Sequence, residues 1–302
     1  MLWVEPSANC NLDCPECPTA ASRQGGQMKL AQFVRVIDQI PWLRLVNLWF
    51  RGEPLLAPEL PDMVAEATRR GIFSQTHTNG ILLTHRDTAA RLVEAGLTRI
   101  SIGIDGPDET GYQLIRSGGL LKEVETGVRA LAEARRRLGK RKPRIIAECL
   151  LSTQSQEQLQ HTRDMALEWG CDKVKFKTYR VPSPDNWESS RALLPDNQAL
   201  WRYDRVDGRL VMRKKTTSRG CRRLSYSAVV AWDGEVYPCC FWTHTFASMG
   251  NAFNQPWREI WRGEPLCQVQ RTVNSDRDKI PICRNCTEGL KRLYVPVREV
   301  SK

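Results

Sequence analysis

The stretch SANCNLDCPECPT, residues 7–19, holds three cysteines at C-x3-C-x2-C spacing: Cys10, Cys14 and Cys17. The segment before it (2–7, LWVEPS) reads as a strand, so the cysteines fall in the loop at that strand's C-terminal end. Three thiols are one too few to close a four-coordinate site, and it is catalytic metal sites, not structural ones, that keep a position open. Three thiolates can also hold three irons of a [4Fe–4S] cluster and leave the fourth iron open.

The rest of the chain sets the context. With 302 residues, 41% hydrophobic and 26% charged, it is of ordinary globular composition, long enough for one large domain and a small appendage. No run approaches the 18 apolar residues of a membrane span. The opening Met1-Leu-Trp-Val-Glu-Pro lacks the basic flank and apolar core of a signal peptide. The cytoplasm is therefore the expected compartment, and its thiols stay reduced. Eleven cysteines then suggest metal rather than disulfides. The four histidines do not have zinc-finger spacing, which favours iron–sulfur clusters or an all-Cys zinc site. Part of the +11 net charge sits in EARRRLGKRKPR, 133–144. This run reads as a solvated helix end whose cations complement the helix dipole. The sharper alternatives are a docking face for an acidic electron donor or a site for an anion. Without interleaved aromatics, nucleic-acid binding is not expected of it.

Strand-like segments at 2–7, 43–50, 73–79, 98–105, 144–151 and 173–179 alternate with helix-like ones at 28–40, 58–70, 86–95, 120–138 and 155–169. Gly71, Gly96, Gly139 and Gly170 fall where C-cap glycines belong. Six βα units without hairpins predict an α/β fold, a partial (βα)6 TIM-like barrel over 1–180 with its chemistry at the C-terminal ends of the strands. Residues 181–220 read as a connecting segment of loop, short helix and hairpin, and 221–302 as a small Cys- and Trp-rich domain.

The cysteine spacing resembles the signature of the radical S-adenosylmethionine (radical SAM) enzymes, and motifs after later strands follow that family's order. Phe50-Arg51-Gly52-Glu53-Pro54 is similar to the GGEP segment, with Arg51 in place of a glycine. The resemblance assigns Gly52 and Glu53 to the amino group of SAM. Thr78-Asn79-Gly80 is similar to the TNG turn, which brings in Asn79. GIDGPDETGYQLIRSGG, 103–119, resembles the S-x-D-G…I-R-G-G stretch, which brings in Asp105 and puts Arg116 at the SAM carboxylate. Gly103 stands at the usual serine position, and Ser101 lies two residues earlier on the same strand face. Glu16 stands where an aromatic residue often precedes the third cysteine.

A second set, Cys221, Cys239, Cys283 and Cys286, resembles the first part of the SPASM domain pattern, with Gly234 before Cys239. Four cysteines close one auxiliary [4Fe–4S] cluster in the shortened "twitch" variant, as in the 2-deoxy-scyllo-inosamine dehydrogenase type; zinc is the alternative. Cys149, Cys171 and Cys267 read as ordinary small apolar residues. Cys240 does too, or else it is a hydrogen-atom donor. Glu148 and Lys177 are the candidate polar groups near a substrate, and the alternative for them is a buried structural ion pair. Trp232, Trp242, Trp257 and Trp261 are expected to pack the small domain around its cluster.

The resemblance implies a radical SAM oxidoreductase with a flavodoxin- or ferredoxin-type electron donor. A 5′-deoxyadenosyl radical would take a hydrogen atom from a small molecule, sugar- or aminocyclitol-like. An auxiliary cluster would then accept an electron to complete a two-electron oxidation. Epimerisation with a cysteine donor and modification of a ribosomal peptide are the alternatives. A non-catalytic zinc or nucleic-acid-binding protein is a more distant one.

Overall fold

The computed structural model describes residues 1–15, 17, 25–153, 158–213, 220–242, 247–287 and 294–295. Glu16 and the start of the helix expected at 155 lie outside the described residues.

Strands and helices alternate as β1 (Leu2–Val4), α1 (Leu30–Asp38), β2 (Leu45–Leu48), α2 (Leu60–Arg69), β3 (Phe73–Thr78), α3 (Thr88–Glu94) and β4 (Arg99–Gly103). They continue as α4 (Glu109–Ile115), α5 (Leu121–Arg137), β5 (Arg144–Leu150), α6 (Leu159–Glu168) and β6 (Lys173–Lys177). Each of the six strands pairs in parallel with the next. The helices are amphipathic and bury one stripe against the sheet: Phe33, Val36 and Ile37 on α1, and Val124, Val128 and Leu131 on α5. On β4, Ile100 and Ile102 are fully buried while Ser101 is partly accessible. That alternation turns Ser101 and Gly103 to the concave face. The four expected C-cap glycines all adopt positive φ, from 62° to 108°. β1 is shorter than expected because Pro6 has no N–H for the ladder.

The basic run ends α5 as a solvated helix terminus. Arg135 pairs with Asp172 at 2.6 Å and Arg136 with Glu133 at 2.7 Å.

Beyond β6, three short 3₁₀ turns lead to the hairpin β7 (Tyr203–Val206) and β8 (Arg209–Met212). Its turn residues Asp207 and Gly208 both have positive φ, which suits a tight two-residue hairpin. The C-terminal segment does not stand apart from the barrel. Its strand β9 (Ala228–Val230) pairs in parallel with β1, and β10 (Val236–Tyr237) runs antiparallel to β9. At the other edge β11 (Tyr294–Val295) pairs antiparallel with β6. The result is one nine-stranded sheet, β10-β9-β1-β2-β3-β4-β5-β6-β11. Helices α7 (Trp257–Arg262), α8 (Glu264–Asp276) and α9 (Pro281–Arg284) follow β10. Trp242 and Trp257 lie in the main core cluster with Trp232 and Trp261 packed against it, and Cys239 and Cys240 pack against the same cluster.

Candidate active site

The loop after β1 carries Cys10, Cys14 and Cys17, and its backbone lies directly on Gly52. A Cβ at Gly52 would stand 2.3 Å from the Ser7 carbonyl oxygen and 2.6 Å from that of Asn9. Only glycine fits this crossing. Next to it, Glu53 is buried at 3% exposure. Its N–H donates to Asn9 O at 2.8 Å. Its carboxylate accepts from Leu55 N (3.0 Å), Thr78 Oγ1 (2.6 Å) and Asn79 N (2.8 Å). Burial pushes the Glu53 carboxyl up, against these hydrogen bonds. Through its N–H and its carboxylate, Glu53 thus ties together the loops after β1, β2 and β3. Asn79 adds to the tie by donating from Nδ2 to Asn11 Oδ1 at 2.8 Å.

Arg116 approaches the cysteine loop from the other side. Its Nε donates to Asp105 Oδ2 at 2.5 Å, and Asp105 Oδ1 accepts from Leu150 N at 2.6 Å. The guanidinium passes over Gly103, where a Cβ would lie 2.4 Å from Nη2. The serine expected at that position would therefore collide with Arg116. Burial opposes the charge of Arg116, but Asp105 and Cys14 outweigh it and raise its pKa. Burial pushes the Cys10 thiol up to about 11, with Glu53, Cys14 and Cys17 adding to the shift. The three thiols are thus close enough to influence one another. Among the described residues, no three His, Cys, Asp or Glu side chains are already closed into a metal cage.

Glu148 lies on β5, on the face shared with Ser101 and Lys175. It accepts from Ser101 Oγ at 3.3 Å and faces Lys175 Nζ at 3.7 Å and His77 Nδ1 at 3.9 Å. The Tyr294 hydroxyl, brought in by β11, also donates to it. Burial alone would raise the Glu148 pKa, but the neighbouring His77, Lys177 and Lys175 hold it below the usual range. Burial pushes His77 down, so the imidazole is neutral at pH 7. Lys177 is also lowered by burial. Glu148 pairs in register with Lys175, and Lys177 two residues on shares its interior face. Cys149 points the other way into an apolar cluster with Leu151 and Phe176. Ser101 sits with Glu148, two residues before the Gly103 that Arg116 covers.

The second thiol set lies at the same end of the barrel. Cys239 and Cys240 both feel the charge of Cys286, and burial raises both thiols. Cys283 and Cys286 share a turn, Cys286 N donating to Cys283 O at 3.3 Å. Cys221 opens a 3₁₀ turn over Arg222–Ser225. Cys240 Sγ accepts from Arg223 Nη1 at 3.7 Å.

Sequence reading missed several residues. Glu5 is fully buried and pairs with Arg51, Nε to Oε1 at 3.3 Å, with Trp232 N donating to its other oxygen. Arg51 also lies over Phe50 and Tyr237 at 4.4 and 5.5 Å. It thus points away from the cysteine loop and holds the β9–β10 segment to the barrel. His77 and Tyr294 gave no local signal, since their roles come from strand pairing.

A family model of the radical SAM superfamily matches residues 4–164, more than half of the chain. The chain belongs to the radical SAM superfamily. A second model, SPASM, an iron–sulfur cluster-binding domain, matches 221–287. The cofactors are therefore SAM, its [4Fe–4S] cluster and auxiliary iron–sulfur chemistry. The donor set fits them: three thiols on one loop, a glycine cradle beneath it and a pinned guanidinium beside Cys14. The chain is 26% identical over 289 residues to the tungsten-containing aldehyde ferredoxin oxidoreductase cofactor-modifying protein of Pyrococcus furiosus, covering 87% of this chain and 81% of that protein. It is 24% identical over 313 residues to the PqqA peptide cyclase of Streptomyces rochei, covering 95% and 81%. Among solved structures, BtrN in complex with AdoMet and 2-DOIA shares the fold at TM-score 0.59 and 19% identity, covering 97% and 96%. Native anSMEcpe with bound AdoMet does so at TM-score 0.66 and 16% identity, covering 99% and 94%. No helix among the described residues is long and apolar enough to cross a membrane.

Proposed function

We propose that this radical SAM enzyme oxidises a small, sugar-like molecule by two electrons. The observation that carries the reading is the position of Lys177, whose register partner Leu150 donates its N–H to Asp105 on the Arg116 side at 2.6 Å, and which on its other side is near enough to Cys240 of the C-terminal thiols for the two to influence each other. A substrate over Glu148 and Lys177 would therefore lie between the two sets of cysteines. When bound, SAM and its cluster supply a hydrogen-abstracting radical at this mouth, and an auxiliary [4Fe–4S] cluster supplies a one-electron acceptor.

Cys10, Cys14 and Cys17 hold the first cluster, and Cys221, Cys239, Cys283 and Cys286 the second. Gly52, Glu53 and Arg116 hold the SAM amino acid, with Asn79 and Asp105 as supports. An alcohol carbon loses one hydrogen atom, then one electron and the hydroxyl proton, which leaves a ketone. Neutral His77 takes the proton and Glu148 stabilises the resulting imidazolium. The family relatives named for peptide work keep peptide modification as an alternative substrate class. Epimerisation is the second reaction reading, favoured by Cys240: a thiol that burial keeps protonated, beside the Arg223 guanidinium. Reduced thiols and a low-potential flavodoxin or ferredoxin donor suit the cytoplasm.

The test is anaerobic reconstitution followed by single turnover in deuterated water. About eight irons per chain, one 5′-deoxyadenosine per ketone formed and no solvent deuterium in the product are expected. Deuterium at the reacting carbon would replace oxidation by epimerisation.

A further inference from the structure

Deep burial of a cation is costly unless an anion or hydrogen bonds compensate it. At the C-terminal end of β6 one such cation, Arg202, stands beside a partly buried one, Lys177. Arg202 is 3% exposed, and its Nε donates to Thr178 Oγ1 at 3.0 Å. Among the described residues no carboxylate lies within ion-pair distance of it. Neighbouring Lys177 is in the same position, because the carboxylate beside it, Glu148, faces Lys175 and His77 at 3.7 and 3.9 Å. Arg180 adds a third positive charge, stacked over Phe241 at 5.2 Å. Burial pushes Arg202 down to about 10, and the nearby Arg180 adds to this.

The balance around this corner is positive. Asp105 is committed to Arg116, and Glu148 is shared among Lys175, His77, Ser101 and Tyr294. Structural arginines in protein interiors are paired. We propose that Lys177 and Arg202 form the seat for an anionic group of the substrate, a carboxylate or a phosphate, between the SAM side of the barrel and the second thiol set. The inference rests on the small-molecule reading and narrows it. A sugar acid or sugar phosphate would neutralise the two cations, whereas a free aminocyclitol would bring a like charge to them. Guanidinium and ammonium groups both donate to such oxygens, and the charge-assisted bonds are strong ones.

The test is thermal melting of the reconstituted enzyme under anaerobic conditions, with inorganic phosphate or acetate against chloride at constant ionic strength. Wild type should gain roughly 2–4 °C at five to ten times the dissociation constant of the preferred anion. Whichever anion protects identifies the group. Arg202→Gln and Lys177→Gln should lose that gain and melt no lower than wild type in chloride. Arg202→Lys keeps the charge and should retain part of the gain. Equal protection of wild type and Arg202→Gln, or protection of neither, would overturn the proposal. So would a lower melting temperature of Arg202→Gln in chloride, which marks a purely structural arginine. Reductive cleavage of SAM by wild type is read separately. Its absence beside intact anion protection would count against the proposed oxidation and leave the anion seat standing.

Discussion

Arg116 covers Gly103 so closely that no side chain fits between the guanidinium and the strand. A free arginine would swing aside for a serine, but Asp105 holds this one at 2.5 Å. Gly103→Ser should therefore displace Arg116 and weaken SAM binding about 10- to 100-fold, the range expected for a lost charge-assisted hydrogen bond. Equilibrium SAM binding to the reconstituted enzyme reads this directly. Wild-type affinity in Gly103→Ser would remove Arg116 from the SAM carboxylate.

Gly52 poses a harder steric problem, because its neighbours are backbone atoms of the cysteine loop. Gly52→Ala should cost about 1–3 kcal/mol by overpacking and lower iron incorporation at the first site. Urea melts and iron assays measure both effects. Unchanged stability would mean that the loop has room to move.

The two thiol sets should be separable by iron content. Replacing Cys10, Cys14 and Cys17 by alanine should reduce about eight irons per chain to about four, and replacing Cys221, Cys239, Cys283 and Cys286 should do the same. Cys240→Ala should keep about eight. Iron loss in Cys240→Ala would make it a ligand.

Glu5 and Arg51 form a buried pair between the barrel and its C-terminal segment. Glu5→Gln or Arg51→Met alone should destabilise by about 3–5 kcal/mol, because each leaves the other partner buried without its countercharge. The double variant should recover more than half of that loss. Strict additivity in a double-mutant cycle would refute the coupling.

His77 makes stability depend on pH. Its folded pKa is lowered by burial, so the folded chain binds fewer protons than the unfolded one. Its contribution is present above the ordinary imidazole pKa of 6.5 and is lost as pH falls through the lowered folded value. Between pH 7 and 5, His77→Gln should lose less stability than wild type, by on the order of 1–2 kcal/mol. Chemical denaturation of both proteins at the two pH values checks this. Parallel losses would show that His77 already carries its proton in the folded state.

The barrel was legible because its signals are local. Periodic apolar stripes, C-cap glycines and motifs at strand ends all lie within a few residues of the structure they specify. The expected strands at 73–79 and 144–151 differ from Phe73–Thr78 and Arg144–Leu150 by a single residue at one end. The pairing of Ala228–Val230 with Leu2–Val4 was not legible, because three apolar residues carry no mark of their partner. The same holds for Tyr294, which reaches Glu148 only through β11. Arg51 read as a defect in a glycine motif because its partner Glu5 lies on another strand. Short helix α4 was hidden inside the motif stretch at 103–119.

The parallel pairing of β9 with β1 also bears on how the molecule is made. Leu2–Val4 are synthesised well before the strand that covers their outer edge, which lies more than 220 residues later. Until Ala228–Val230 are synthesised, β1 has a neighbour only on its β2 side, and the loop with Cys10, Cys14 and Cys17 hangs from a half-bonded strand. Contacts so far apart in sequence form slowly. The firm seating of the first cysteine loop thus waits on a strand made more than 220 residues after it, and cluster delivery waits with it.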